Sequence, residues 1–310
     1  MQRDRGRAAT QPSPTVGTVA RISDLLVQGP TRSFEFFPPK TDEAARALEK
    51  AITELQPLEP SFVSVTYGAA GSTRERTRDL VLGIERDTGI TAMAHLTCVA
   101  HTRADLVSLV ESYRDAGMEN ILALGGDPPT EPGEHPSDLE HADELIDLVR
   151  DVGDFCIGVA AHPELHPRSP DRASDRRFLA AKLARADFGI TQFFFEPEPY
   201  LQMVDELAAL GCDTPVIPGI MPVLNFKAVD RMAQMSGAAF PPALRTRFEA
   251  LADDADAMRS LGIELATQLC ADLLAAGAPG LHFYTLNRST ATREIVANLG
   301  LGPGPGLGHV

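Results

Sequence analysis

The sequence predicts an α/β protein built as a single (β/α)8 barrel, and three observations predict it. Eight short β-type runs recur about every 25 to 40 residues, the spacing of strands that alternate with helices. The intervals between them carry apolar residues at i, i+3, i+4 and i+7, the stripe of a helix with one buried face. No Pro/Ser-rich linker divides the 310 residues, a length that one barrel domain accommodates.

In chain order the runs are "RSFEFF" at 32, "FVSVTYG" at 62, "TAMAHLTC" at 91, "NILALGGD" at 120, "FCIGVAAHPE" at 155, "FGITQFFFE" at 188, "PVIPGIMP" at 215 and "GLHFYTL" at 280. Strands alternating with helices form a parallel sheet, and eight such units close it. An open doubly wound sheet would want a Gly-rich phosphate turn after its first strand, and "EFFPPK" supplies none. The helical segments include "TDEAARALEKAITEL", with Thr41 or Asp42 as N-cap, and "RTRDLVLGIERDTG". Gly89 and Gly117 stand where helix-terminating glycines belong. The long interval from 225 to 279 must hold extra helices before the last strand. The barrel is expected over residues 21–301, between flexible tails at 1–20 and 302–310. The first tail is Arg-rich but lacks the apolar stretch of a secretory signal. The glycines of the second follow no strand and do not satisfy GxGxxG.

Composition excludes more partners than it names. With 43 acidic against 28 basic residues the net charge is −15, which repels nucleic acid and anionic membrane. No apolar run approaches the length of a bilayer span. Cys98, Cys156, Cys212 and Cys270 are widely spaced without a CxxC pair, and read as reduced thiols of a cytoplasmic protein. A homo-oligomer is left open, because no segment marks an interface.

Catalytic groups of such a barrel stand at the C-terminal ends of the strands. Here those ends carry Glu35, Thr66, His95, Asp127, His162, Gln192, Asn287 and Arg288. By strand alternation Glu35 shares an inward face with Ser33 and Phe37, while Phe34 and Phe36 face the helices. Gln192 is expected to share a face with Ile190 and Phe194, and His95 with Met93 and Thr97. Aromatic neighbours without another carboxylate are expected to push the Glu35 pKa upward, making it a proton donor near neutrality.

Three activities compete for this ring. Metal-assisted hydrolysis would use His95, Asp127, His162 and His166, but Pro163 within "HPELH" opposes the helix that would align its two histidines. Reduction of a small planar substrate would use Glu35 as acid, with Asp127 and Gln192 reading a heterocycle. A non-catalytic binding protein on a barrel scaffold is the third.

The motifs "SFEFFPPK", "FVSVTYGA", "HLTC", "ILALGGD", "VAAHPELHP", "ITQFFFE", "IPGIMPVLNFK" and "HFYTLNR" resemble, in order and spacing, those of the methylenetetrahydrofolate reductase family. The resemblance runs from about Arg32 to Leu301 and implies a TIM barrel. It implies reduction of 5,10-methylenetetrahydrofolate to 5-methyltetrahydrofolate by NADH or NADPH. By that likeness Glu35 is the general acid, and Asp127 and Gln192 hold the pterin. Phe226 stacks on folate or nucleotide, and Tyr284 and Arg288 lie on the folate side. Thr66, His95, Gly126, His162 and His166 line the cofactor space, and no metal is implied.

Family members ordinarily relay hydride through FAD, and the chain departs from the pattern at those positions. Gly125 replaces an arginine, His162 a tyrosine, and an ungapped alignment puts Phe178 and Ala181 where an asparagine and an arginine belong. Asp175 and Lys182 still match. Each lost charge-assisted hydrogen bond removes roughly 1.5–3 kcal/mol. A flavin-independent enzyme is therefore expected; the alternative is the same reaction through FAD, with Arg176 or Arg177 compensating after a one-turn shift.

Overall fold

The computed structural model describes residues 19–67, 74–126 and 137–301. Short α1 (Ile22–Gln28) precedes β1 (Thr31–Phe36), and from there strand and helix alternate: α2 (Asp42–Leu55), β2 (Phe62–Val65), α3 (Arg74–Thr88), β3 (Ala92–Thr97) and α4 (Arg103–Asp115). The pattern continues through β4 (Asn120–Leu124), α5 (Ala142–Val152), β5 (Cys156–Ala161), α6 (Arg172–Leu183), β6 (Phe188–Thr191) and α7 (Pro197–Ala209). Every described strand pairing is parallel, in the order β7-β6-β5-β4-β3-β2-β1-β9-β8.

Nine strands make eight staves. β7 (Val216–Ile217) pairs with β6, and β8 (Gly219–Ile220) pairs with β9 (Gly280–Tyr284), so one segment closes the barrel with both neighbours. Pro218 between its halves has no N–H to add to the ladder. Its carbonyl still accepts the His282 N–H at 3.0 Å.

Alternation along the staves sorts the apolar side chains into two layers. Phe34, Phe36, Val63, Val65 and Phe283 point outward and pack beneath the helices. Phe62, Met93, Leu122, Phe188 and Ile217 fill the interior with Ile22, which caps the floor from α1. Burying a large apolar side chain this fully contributes about 1.5–3 kcal/mol. Asn120 at the start of β4 fixes α1, accepting from the Ile22 N–H at 2.9 Å and donating to the Ala20 carbonyl at 2.9 Å.

The local signals act as the sequence suggested. Thr41 caps α2 by accepting from the Ala44 N–H, and Gly89 and Gly117 adopt positive φ past α3 and α4. The interval before the last strand holds α8 (Phe226–Ser236), α9 (Pro242–Glu249) and α10 (Ala255–Ala275), and α11 (Thr290–Asn298) follows β9. Phe193, Met221, Phe226 and Phe248 form a separate apolar cluster under α8 and α9. There α10 crosses the 222–224 backbone so closely that a Cβ on Gly262 would lie 2.1 Å from the Val223 carbonyl oxygen. No described helix is long and apolar enough to cross a membrane.

Candidate active site

Glu35 reaches the barrel mouth from the inward face of β1, while Phe34 and Phe36 on either side are buried outside. Its Oε2 lies 3.4 Å from His95 Nε2 on β3 and 3.5 Å from His282 Nε2 on β9. His282 is fully buried. Its Nδ1 stands 2.8 Å from Ser33 Oγ, its Nε2 3.5 Å from Ser64 Oγ, and its ring stacks on Phe62 at 6.0 Å. The register Ser33↔His282 and Glu35↔Ser64 brings these groups together from three adjacent staves.

This geometry corrects the expectation of a raised Glu35 pKa. Burial is the largest single influence and does push the carboxyl upward, but contacts with His282, His95 and Ser64 together hold it below the ordinary value. The phenylalanines adjacent in sequence are on the other face of the strand, and the imidazoles facing the carboxylate come from elsewhere. Burial drives His95 down to about 4, so its ring is neutral near pH 7. Its Nε2 is buried with no hydrogen-bond partner.

The loop after β9 holds the end of β1. Thr285 Oγ1 donates to the Glu35 carbonyl at 2.6 Å. Asn287 brackets the next residue, accepting from the Phe37 N–H at 3.0 Å and donating to its carbonyl at 2.9 Å. Leu286 and Asn287 adopt positive φ of 50° and 56° to make that turn. Phe37 itself is exposed, beyond the end of β1.

Of the expected substrate residues, Tyr284 and Gln192 stand at strand ends of this mouth and Phe226 opens α8, in the apolar cluster against which Tyr284 packs. Tyr284 commits its hydroxyl to the Thr191 carbonyl at 2.6 Å and sets its ring edge-on to His282 at 5.5 Å. Gln192 Oε1 accepts from the Phe193 N–H at 3.0 Å. Because β6 ends at Thr191, alternation stops there: Phe194, expected beside Gln192, stacks on Tyr200 in the outer layer. Phe226 is buried against Phe240 at 5.2 Å and Phe248 at 6.0 Å, beneath the guanidinium of Arg245 at 5.5 Å. Arg288 is exposed in the turn after β9. Asp127 lies outside the described residues.

The residues expected to line the cofactor space stand at the ends of β2 to β5. Thr66 follows β2 and takes the Thr77 hydroxyl on its carbonyl. Gly126 follows β4 with φ 83°, and a Cβ there would stand 2.8 Å from Val99 Cγ2, so glycine is required. After β5, His162 and His166 meet edge to face at 4.6 Å. Burial, then His166 and Lys182, push His162 down to about 3. Among the described residues, no three His, Cys, Asp or Glu side chains gather in a group able to hold a metal ion.

The family model described as Methylenetetrahydrofolate reductase matches residues 21–300. The chain belongs to that family. The 5,10-methylenetetrahydrofolate reductases of Salmonella typhimurium and Escherichia coli are 41% and 40% identical over 273 residues, 88% of this chain and 91% of each relative. Methylenetetrahydrofolate reductase (NADH) 1 of Arabidopsis thaliana is 35% identical over 91% of this chain and 50% of its own length. A solved protein from Clostridium thermocellum, which binds two copies of 5-methyl-5,6,7,8-tetrahydrofolic acid, covers 92% of this chain and 98% of its own with TM-score 0.66. At 14% identity that likeness concerns the fold alone.

Phe178 and Ala181 are both exposed on α6. Arg176 is engaged within the protein. It is buried, ion-paired with Glu206 and Asp175, and donates to the carbonyls of His162, Pro163 and Glu164. Arg177 is exposed and donates to Ser174 Oγ. Sequence reading missed His282. The signal was present, since His282 is two residues before Tyr284 on one strand and therefore shares its face.

Proposed function

We propose that this chain reduces 5,10-methylenetetrahydrofolate to 5-methyltetrahydrofolate, taking hydride directly from NADH or NADPH without bound FAD. The observation that carries this reading is the Ser33–His282–Glu35 group at the mouth of a barrel belonging to this family.

Ring opening breaks the bond between N10 and the methylene carbon, places a proton on N10 and leaves an iminium at N5. Glu35 is the group positioned to deliver that proton. If Ser33 donates to the Leu281 carbonyl at 3.3 Å, it accepts from His282 Nδ1–H, and the bare Nε2 faces Glu35 across a proton. If Ser33 donates to Nδ1 instead, Nε2 carries the hydrogen toward Glu35. Only the first arrangement leaves the proton on Glu35, and because its pKa is lowered in the free protein, the acid role requires the bound substrate to exclude water and raise it. The carboxylate left after transfer favours the iminium cation nearby.

Hydride then passes with its electron pair from C4 of the dihydronicotinamide to the methylene carbon, giving the 5-methyl group and an oxidised nicotinamide. Gln192 and Asp127 would hold the pterin, with Tyr284 as a wall and Phe226 and Arg288 on the folate side. Thr66, His95, Gly126, His162 and His166 would line the nucleotide space. The name of the Arabidopsis relative and the net charge of −15 favour NADH. The residues present fit FAD poorly: Gly125 has no side chain, Phe178 and Ala181 offer no donor, and Arg176 is spent on carbonyls and carboxylates.

The test is NADH oxidation by purified protein with methylenetetrahydrofolate and no added flavin, the visible spectrum being recorded first. Folate-dependent oxidation by colourless protein is the expected result. Activity only from yellow or FAD-reconstituted protein would overturn direct transfer while keeping the reaction. No folate-dependent oxidation in either state would reopen the metal-hydrolase and folate-binding readings.

A further inference from the structure

The aromatic cluster under α8 and α9 reaches the catalytic mouth ring by ring. Phe240, just before α9, lies 4.3 Å from Phe195, which meets Phe193 edge to face at 5.8 Å. Phe193 follows Gln192 and stands edge-on to Tyr284 at 6.2 Å, as Tyr284 does to His282 at 5.5 Å. His282 in turn lies beside Glu35. Phe226 joins the cluster from the first position of α8, 5.2 Å from Phe240. The side of the mouth that carries Gln192 and Tyr284 therefore rests on rings supplied by residues 226–249.

Arg245 pins those rings. From α9 its guanidinium lies 5.5 Å from the centroids of both Phe226 and Phe240. Asp230 on α8 grips it with both oxygens, Nη1 to Oδ2 at 3.0 Å and Nη2 to Oδ1 at 2.6 Å. Gln234, one turn further along α8, donates to the same Oδ2 at 2.9 Å. Arg245 holds the Asp230 carboxyl below its usual pKa, and Asp230 raises that of the guanidinium, so the pair stays charged around neutrality. A partly exposed ion pair contributes little to stability by itself. What this one sets is orientation. A two-pronged grip fixes the plane of the guanidinium, and a guanidinium fixed over two rings fixes the rings. A lysine has neither the fork nor the flat face.

We propose that Arg245, gripped by Asp230, is a positioning residue that holds Phe226 and Phe240 in place and so shapes the aromatic wall against which the planar rings of the folate lie. The inference rests on the folate-dependent reaction proposed above and on Phe226 belonging to the folate side of the mouth. Arg245 acts through these rings, so its loss weakens substrate binding and leaves proton transfer alone.

The test compares wild type, Arg245→Met, Arg245→Lys, Phe226→Leu and Arg245→Met/Phe226→Leu by steady-state kinetics in both substrates, by urea unfolding and by titration with 5-methyltetrahydrofolate. Arg245→Met should raise KM for methylenetetrahydrofolate about three- to fivefold, with kcat and KM for NADH within about twofold of wild type. Arg245→Lys should recover only part of that loss. Once Phe226 is leucine, adding Arg245→Met should raise KM no further, because the ring it holds is gone. A lower urea midpoint with KM unchanged would reduce Arg245 to helix packing and overturn the proposal, leaving the reaction standing. An equal further rise of KM in the Phe226→Leu background would overturn it too. Wild type that binds 5-methyltetrahydrofolate but shows no folate-dependent oxidation, with or without flavin, would overturn the reaction. The Kd of Arg245→Met then decides the wall alone: a rise supports it and no change overturns it. Wild type that neither turns over nor binds would overturn both.

Discussion

Replacing His282 by alanine should cost stability mainly by stranding the carboxylate of Glu35. The wild-type side chain of Glu35 is 17% exposed, and His282 supplies its strongest stabilising contact at 3.5 Å. Removing one member of such a buried pair costs about 3–5 kcal/mol, because the remaining charge keeps its desolvation penalty. Part of that figure is the cavity beside Phe62, which does not depend on charge. The two parts separate by adding Glu35→Gln to the His282→Ala variant. A neutral amide needs less solvation than a carboxylate, so the double variant should regain about 1–3 kcal/mol over the single one at pH 7. The pH dependence has a matching sign. In wild type the depressed Glu35 pKa adds stability above the unfolded-state value that is lost as pH falls through the folded one. In His282→Ala the largest remaining influence raises that pKa, so the deficit against wild type should narrow as pH falls from 7 toward 5. Urea unfolding of the three proteins at both pH values measures all of this. A double variant no more stable than His282→Ala at pH 7 would refute the account of the pair.

Other outcomes follow from single contacts. Glu35→Gln should lower folate-dependent turnover by about 100-fold or more with the circular dichroism spectrum unchanged, and near-normal turnover would remove it from the acid role. Asn287→Gly keeps access to positive φ but deletes both hydrogen bonds to Phe37, so turnover should fall with only about 1–2 kcal/mol lost in urea melts. Turnover equal to wild type would mean the loop after β9 does not position Glu35. Gly262→Ala must displace α10 from the Val223 carbonyl, and calorimetry should record a destabilisation of about 1–3 kcal/mol.

The barrel was legible because its staves repeat one pattern, and each run predicted in the sequence holds a strand in the fold. The split at Pro218 was not legible as two ladders, since the sequence does not say which neighbour each half will meet. Alternation placed Ser33 and Glu35 inside and Phe34 and Phe36 outside, and it failed at Phe194 because the strand had already ended at Thr191. The acidity of Glu35 was misread for a related reason. Chain neighbours were counted as surroundings, whereas side chains 60 and 247 residues away, His95 and His282, occupy the space around the carboxylate.

The distance in chain between Glu35 and His282 also orders events during synthesis. β9 lies between β1 and β8 in the sheet, so the first stave waits unpaired on one side until the last has left the ribosome. Every nascent chain shorter than 282 residues lacks the imidazole that holds the Glu35 carboxylate. The contact between the two groups is therefore completed only by the act that seals the barrel.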